Sequence, residues 1–410
     1  MSEESQRLAY PIRRTDPIEL PAEYAKLRRD EPLCPVTFVT GDPALLVTRH
    51  QDVKTVLADR RFSRAAMCGE GGSRYQAVRP GPDSILSMDP PRHTRVCQLA
   101  NHAFTARRVE QWRARIQEIT DQLLDEMADM APPVDLVTVF ARPLPLRIIC
   151  EILGLPLDDQ DTFTGWTRRV MTLTSTAEEI VDVYVEMRAY VAQVVAEKRK
   201  SPGDDALSLL TTVSDEQGTL TDSEVIGLGT FLLVAGHDTS VTVLTDGALT
   251  VMRNPDQLEL LRADPTLWPA AVEEVLRLNN PGGSIFPRVA TTDVQLGDMV
   301  VPQGTTVVAH IGSGCRDEGV LADPDRFDVR RQDAGFQIFF GHGPHFCLGA
   351  ALGRVETEIG LRSLFDRFPT LSLAVAPERL RWQDLAALGG FAELPVTWER
   401  TGGGTRHNHS

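Results

Sequence analysis

The alternation of apolar and polar positions predicts a short β-rich beginning, a long helical middle and a mixed end. In VTFVTGDPALLVT, from Val36 to Thr48, two β-rich runs flank the turn cluster Thr40-Gly41-Asp42-Pro43, which predicts a hairpin. A helix from Gln51 to Asp59 follows. Residues Cys68 to Pro82, rich in Gly, Arg and Pro without periodicity, then predict a long loop of the kind that carries function. From Pro91 to Arg199 most windows carry helical spacing, broken at Ala131 to Leu136 and near Leu153 to Gln160.

Thr221-Asp222-Ser223-Glu224 has capping-box spacing ahead of an apolar run that nothing interrupts until Asn254-Pro255. At 1.5 Å per residue such a helix is about 48 Å long. Its middle, Val225 to Gly236, is apolar on every face, the pattern of a helix buried through a large body. Strand patterns at Ile285 to Ala290, Asp293 to Leu296 and Thr305 to Ala309 come next, then a helix from about Leu348 to Arg367 and short strand signals up to Trp398. The expectation is one mainly helical α+β domain over residues 1–400, without repeat or linker, and a disordered tail over 401–410.

Composition adds exclusions. A 42% hydrophobic and 24% charged chain is neither disordered nor fibrous. Its net charge of −15 argues against nucleic acid, whose phosphates need clustered cations. One local exception is the predicted helical hairpin carrying Arg92, Arg95, Arg107, Arg108, Arg113 and Arg115, where an acidic protein could dock. No run approaches the roughly 18 apolar residues of a membrane span, so a cytoplasmic protein is expected. The six cysteines are scattered without a CxxC pair, which excludes a disulfide scaffold and a zinc ribbon.

A cysteine that matters here therefore acts alone, and FGHGPHFCLG, Phe340 to Gly349, points to Cys347. Three glycines and a proline bend the backbone around it just before a predicted helix. Glycine allows close approach to a flat cofactor, and amides at a helix N-terminus stabilise a thiolate. A lone cysteine is more often an inert buried hydrophobe. The surrounding spacing reverses that reading. A nonhaem metal set drawn from His310, His342, His345 and Cys347 fits no zinc spacing.

The segment resembles the haem-binding signature of the cytochrome P450 family, Phe-Gly-x-Gly-x-His-x-Cys-x-Gly, filled by Phe340, Gly341, Gly343, His345, Cys347 and Gly349. The resemblance is to bacterial members of secondary metabolism and runs from the Val36 hairpin to the C-terminal strands. It implies a triangular fold with the long helix lying over one haem b, ligated by Cys347 and contacted by Ala235, Phe340, Gly341 and Gly349. Inside that helix, AGHDTS offers Asp238 and Thr239, to which the resemblance assigns proton delivery to bound dioxygen. Read alone, Thr239 would bond back to a carbonyl and Asp238 would pair with an arginine. Gly236 would loosen the helical ladder, and His237 would be structural or substrate-facing.

Glu274 and Arg277 sit three apart on one helix face, and the resemblance implies a buried structural ion pair reaching the region of Pro324-Asp325-Arg326-Phe327. It also nominates His93, Arg288 and His345 as partners of the haem propionates. One departure stands out. The family places an arginine four residues after that histidine, and here the residue is Cys97, which leaves Arg288 with more of the task.

A thiolate ligand suits cleavage of the O–O bond, so the resemblance implies hydroxylation or epoxidation of a medium-sized, largely hydrophobic secondary metabolite. Oxidative ring closure or coupling without oxygen insertion is the alternative, and a non-catalytic haem sensor or carrier is disfavoured by Asp238-Thr239. The chain has no GxGxxG after a strand and no ferredoxin-like cysteine cluster, so electrons are expected from a separate ferredoxin and its NAD(P)H-dependent reductase, with Arg354 added to the docking face. By the same resemblance the substrate would meet the Cys68 to Leu86 loop, Phe231 to Ala235, Gly282 to Phe286 and Leu388 to Phe391, with Leu86, Phe231 and Ile285 foremost. A monomer is expected.

Overall fold

The computed structural model describes residues 7–16, 19–216, 218–279, 286–332, 336–383 and 386–400. Ile285, the pair Gly282-Gly283 and the tail 401–410 lie outside the described residues. The predicted hairpin is present as strands Leu33–Phe38 and Pro43–Val47, paired antiparallel with Val36 opposite Ala44. It belongs to a six-stranded sheet, in which Pro43–Val47 runs parallel to Thr306–Ala309, and the latter pairs antiparallel with Arg288–Ala290. That order places Arg288 inside the sheet, buried, one strand from the edge strand Phe62–Ser63.

Three smaller sheets accompany it among the described residues, and most of the remainder is helical. The central helix, Asp222–Arg253, begins with both halves of the predicted capping box: Thr221 accepts from the Glu224 amide, and Glu224 accepts from the Thr221 amide. It is continuous through Gly236, so this glycine does not open the ladder. Its reason is steric. A Cβ there would lie 2.9 Å from Ile149 Cδ1 on the neighbouring helix Pro143–Leu153. By length and composition this helix could cross a membrane, contrary to the expectation that no run approaches that length, but more than half of its apolar window is buried inside the fold. Buried Leu232, Leu233, Val243 and Leu244 join Phe140, Leu144 and Ile149 in the largest core, each contributing about 1.5–3 kcal/mol relative to exposure.

The helices Arg92–Asn101 and Ala106–Asp129 form the arginine-bearing hairpin. The helix after the cysteine loop, Ala350–Arg367, packs along the central helix, with Leu361 against Gly247. Sequence patterning missed the strand Leu8–Tyr10, the helix Glu23–Asp30 and the strand Met299–Val301.

Candidate active site

Cys347 sits at the mouth of the helix Ala350–Arg367. Its amide donates to the Phe340 carbonyl at 2.8 Å and its carbonyl accepts from Ala350, so both ends of the loop are pinned. Gly341 and Gly343 have φ of +81° and +75°, where side chains are strained. At Gly343 a Cβ would also fall 2.7 Å from Ala58 Cα. Of the six free cysteines only Cys347 is exposed. Desolvation pushes its thiol above the ordinary value, while the Gly349 amide and the Arg354 charge act the other way. Cys34, Cys97, Cys150 and Cys315 are not exposed, and burial pushes their thiols up as well.

Beside this loop four basic side chains face one another. His345 and His93 stack with ring centroids 3.9 Å apart. The fields of buried Arg288 and Arg64 reach both rings, and with desolvation they hold both imidazoles neutral, His345 far below its usual range. The Arg288 guanidinium has no hydrogen bond or ion pair among the described residues, although it is 4% exposed. Asp89, the acid of this group, is committed to the Ser63 hydroxyl and the amides of Arg64 and Ala65. Buried cations without an anion are costly. They fit an anionic group of a cofactor, as do the two carboxylates of haem. Arg64 was not picked out from the sequence, and no local pattern marks it.

On the central helix, the Thr239 hydroxyl donates to the Ala235 carbonyl at 2.6 Å, the back-bond a threonine makes in a helix. Asp238 forms no ion pair with an arginine among the described residues. Its Oδ1 lies 3.5 Å from His237 Nδ1, and its Oδ2 is buried without a hydrogen bond among the described residues. Burial raises its carboxyl to about 6, against the opposing field of Arg142. His237 is fully buried, bonded to Thr167 at 3.2 Å and held neutral by desolvation, so its place is structural. The next residue, Ser240, donates to Glu356 of the helix that follows Cys347.

Asp238 also lines a cavity of about 930 Å³, together with Arg142, Arg168, Thr242 and the segment Leu388 to Phe391. The cavity therefore includes the C-terminal piece expected at the substrate but not Leu86 or Phe231, which pack against the main core. Glu274 and Arg277 form a buried pair with bonds of 2.7 and 2.9 Å, and Arg277 reaches the carbonyls of Cys315, Pro324 and Arg326. Among the described residues no three His, Cys, Asp or Glu side chains converge as a metal set. His310 Nδ1 accepts from the Ser313 amide instead.

The fold and this site define a mainly helical enzyme built to hold a flat, anionic prosthetic group with a single thiolate. The family model described as Cytochrome P450 matches residues 155–379. The chain is 41% identical to nocardicin C N-oxygenase of Nocardia uniformis subsp. tsuyamanensis, covering 95% of this chain and 98% of that one. It is 40% identical to mycinamicin IV hydroxylase/epoxidase of Micromonospora griseorubida, with the same coverage. The solved structure of SgvP, a putative thioether synthase in the tailoring of griseoviridin, superposes with a TM-score of 0.90 at 40% identity over 96% of this chain and all of that one. The chain belongs to the cytochrome P450 family, whose cofactor is haem b, and is a monooxygenase.

Proposed function

We propose that this enzyme oxidises a medium-sized, largely apolar secondary metabolite by hydroxylation or epoxidation, with Cys347 as the residue that would hold the haem iron through its thiolate and a separate ferredoxin and reductase as the electron source. The observation that carries the site assignment is the exposed Cys347 thiol, pinned by a positive-φ glycine loop beside a buried, unpaired Arg288. Haem bound there supplies the activation of dioxygen, favoured by a thiolate ligand.

The chain's own residues supply position and protons. Arg288, His93 and His345 hold the propionates, and the Gly349 amide with Arg354 favours the thiolate form of Cys347. Asp238, with a pKa raised to about 6, exchanges protons with the cavity beside it and passes them toward the Thr239 hydroxyl. Thr239 must leave the Ala235 carbonyl to relay that proton. Relatives named as an N-oxygenase and a hydroxylase/epoxidase support oxygen insertion into natural products.

A second reading, oxidative coupling without oxygen insertion, draws support from SgvP, whose name is that of a thioether synthase. Product mass under labelled dioxygen separates the two. For the site itself, the reduced protein with carbon monoxide should give a strongly red-shifted Soret band, lost in Cys347→Ser. A histidine-like spectrum in the wild type would overturn the Cys347 assignment.

For the electron source, the hairpin arginines are largely neutralised within the chain. Arg113 bonds Glu110 and Glu358, Arg115 bonds Glu118 and Glu151, and Arg354 bonds Glu273. Exposed Arg107 has no ion pair among the described residues, and Arg108 lies 4.0 Å from Asp204, so these two carry the docking proposal.

A further inference from the structure

We infer that Arg64 is a haem-propionate partner in this chain, supplying beside Arg288 the second buried guanidinium that position 97 does not provide. The inference rests on the Cys347 site described above. Three observations lead to it. Arg64 is 4% exposed and bonded to the carbonyl of Pro287, the residue before Arg288, while His93 and His345 stack with ring centroids 3.9 Å apart; Arg64 feels the charge of Arg288, and both imidazoles feel the charge of Arg64. Its Nε donates to the Leu86 carbonyl at 2.6 Å and its Nη1 to the Pro287 carbonyl at 2.7 Å, which leaves Nη2 without a hydrogen bond among the described residues, and the guanidinium lies 5.1 Å over the Phe286 ring. Those two carbonyls belong to the segment leading to the His93 helix and to the residue before Arg288. The fork is thus fixed between the backbones that carry the other cations.

The third observation is Cys97. It lies one helical turn from His93, with Sγ 3.3 Å from His93 Nε2, so a side chain at 97 reaches the His93 ring. Burial pushes its thiol up to about 11, and it brings no charge of either sign at neutral pH. A dianionic edge of a cofactor would then meet one guanidinium without a hydrogen bond or ion pair among the described residues, that of Arg288. Arg64 makes the cations two. Two guanidiniums then face two propionates, with Asp89 already committed to the Ser63 hydroxyl and the amides of Arg64 and Ala65.

The competing account is that Arg64 only clips two loops together. The holoenzyme separates these accounts through a double-mutant cycle on haem release to apomyoglobin, using Arg64→Gln, Cys97→Arg and the double variant. Loss of one charge-assisted bond should speed release about tenfold in Arg64→Gln, the change that 1.4 kcal/mol makes. If Arg64 holds a propionate, Cys97→Arg restores release to within about twofold of wild type in the Arg64→Gln background while gaining little by itself. Propionate bending bands in the resonance Raman spectrum should shift in Arg64→Gln and return in the double variant. An equal effect of Cys97→Arg in both backgrounds, or unshifted bands, would overturn the inference. Should Arg64→Gln accumulate poorly, Arg64→Lys, which keeps a charge but cannot span both carbonyls, carries the same cycle. Failure of the Cys347 reading is a different outcome, a wild-type carbon monoxide spectrum without the red shift.

Discussion

Replacing Arg277 by methionine removes a guanidinium that is 1% exposed from a partner, Glu274, that is fully buried. Breaking such a pair by deleting one member costs about 3–5 kcal/mol, because the other charge stays buried. Here Glu274 keeps Arg331 Nε at 3.1 Å and the Asp328 amide at 3.2 Å, which argues for the lower end, about 3 kcal/mol. The carbonyls of Cys315, Pro324 and Arg326 also lose their donor, and at about 0.5–1.5 kcal/mol each they add roughly 2–3 kcal/mol. The sum, about 5 kcal/mol, compares with a total stability of about 5–15 kcal/mol for a folded protein. Urea unfolding followed by far-ultraviolet circular dichroism, with haem content measured in parallel, reads it directly. The double variant Glu274→Met, Arg277→Met should be more stable than Arg277→Met alone, since the buried Glu274 carboxylate is removed together with the guanidinium that answered it. A single variant within 1 kcal/mol of wild type, or a double variant no better than the single, would refute the reasoning.

Three shorter expectations follow from the same geometry. Asp238 has a folded pKa of about 6 against an ordinary 3.8, so folding takes up a proton between those values and stability falls as pH rises through about 6. Asp238→Asn should therefore melt higher than wild type at pH 8, the gap closing toward pH 4, while its turnover drops about 100-fold or more; a slower enzyme with an unchanged melting difference across pH would sink this. Gly343→Ala should lower haem per chain at equal protein recovery, because its φ of +75° and the 2.7 Å approach to Ala58 displace the loop of Cys347; normal haem content would count against the loop's role. Arg107→Glu with Arg108→Glu should raise the ferredoxin concentration for half-maximal reduction severalfold and flatten its salt dependence; unchanged kinetics would reject docking there.

What was legible in the chain was local. The capping box at Thr221, the apolar run behind it and the glycine spacing around Cys347 all lie within a few turns of backbone, so their physics is visible in order along the sequence. The strand Leu8–Tyr10 was not legible because three residues carry no period and its stability comes from a parallel partner, Leu33–Phe38, more than twenty residues on. Gly236 was read as loosening the ladder because mid-helix glycine usually weakens it, but its neighbour Ile149, which decides the matter, belongs to another helix. Arg64 was invisible for the same reason: nothing in FSRAA shows that its guanidinium spans carbonyls at 86 and 287.

The buried charges also sort themselves by whether they are satisfied. Glu274 and Arg277 are as deeply buried as any side chain in the molecule, and they answer each other and the surrounding carbonyls, as a structural network must. Arg288 has no such answer, nor has Asp238 Oδ2, nor has Glu356 Oε1, and burial lifts the Glu356 carboxyl to about 8. A protein that only needed stability would gain by making them apolar or pairing them. Burial without an answering partner at Asp238 and Arg288, set against the complete pairing of Glu274 and Arg277, is the physical reason we propose the first two for chemistry and the second pair for the frame.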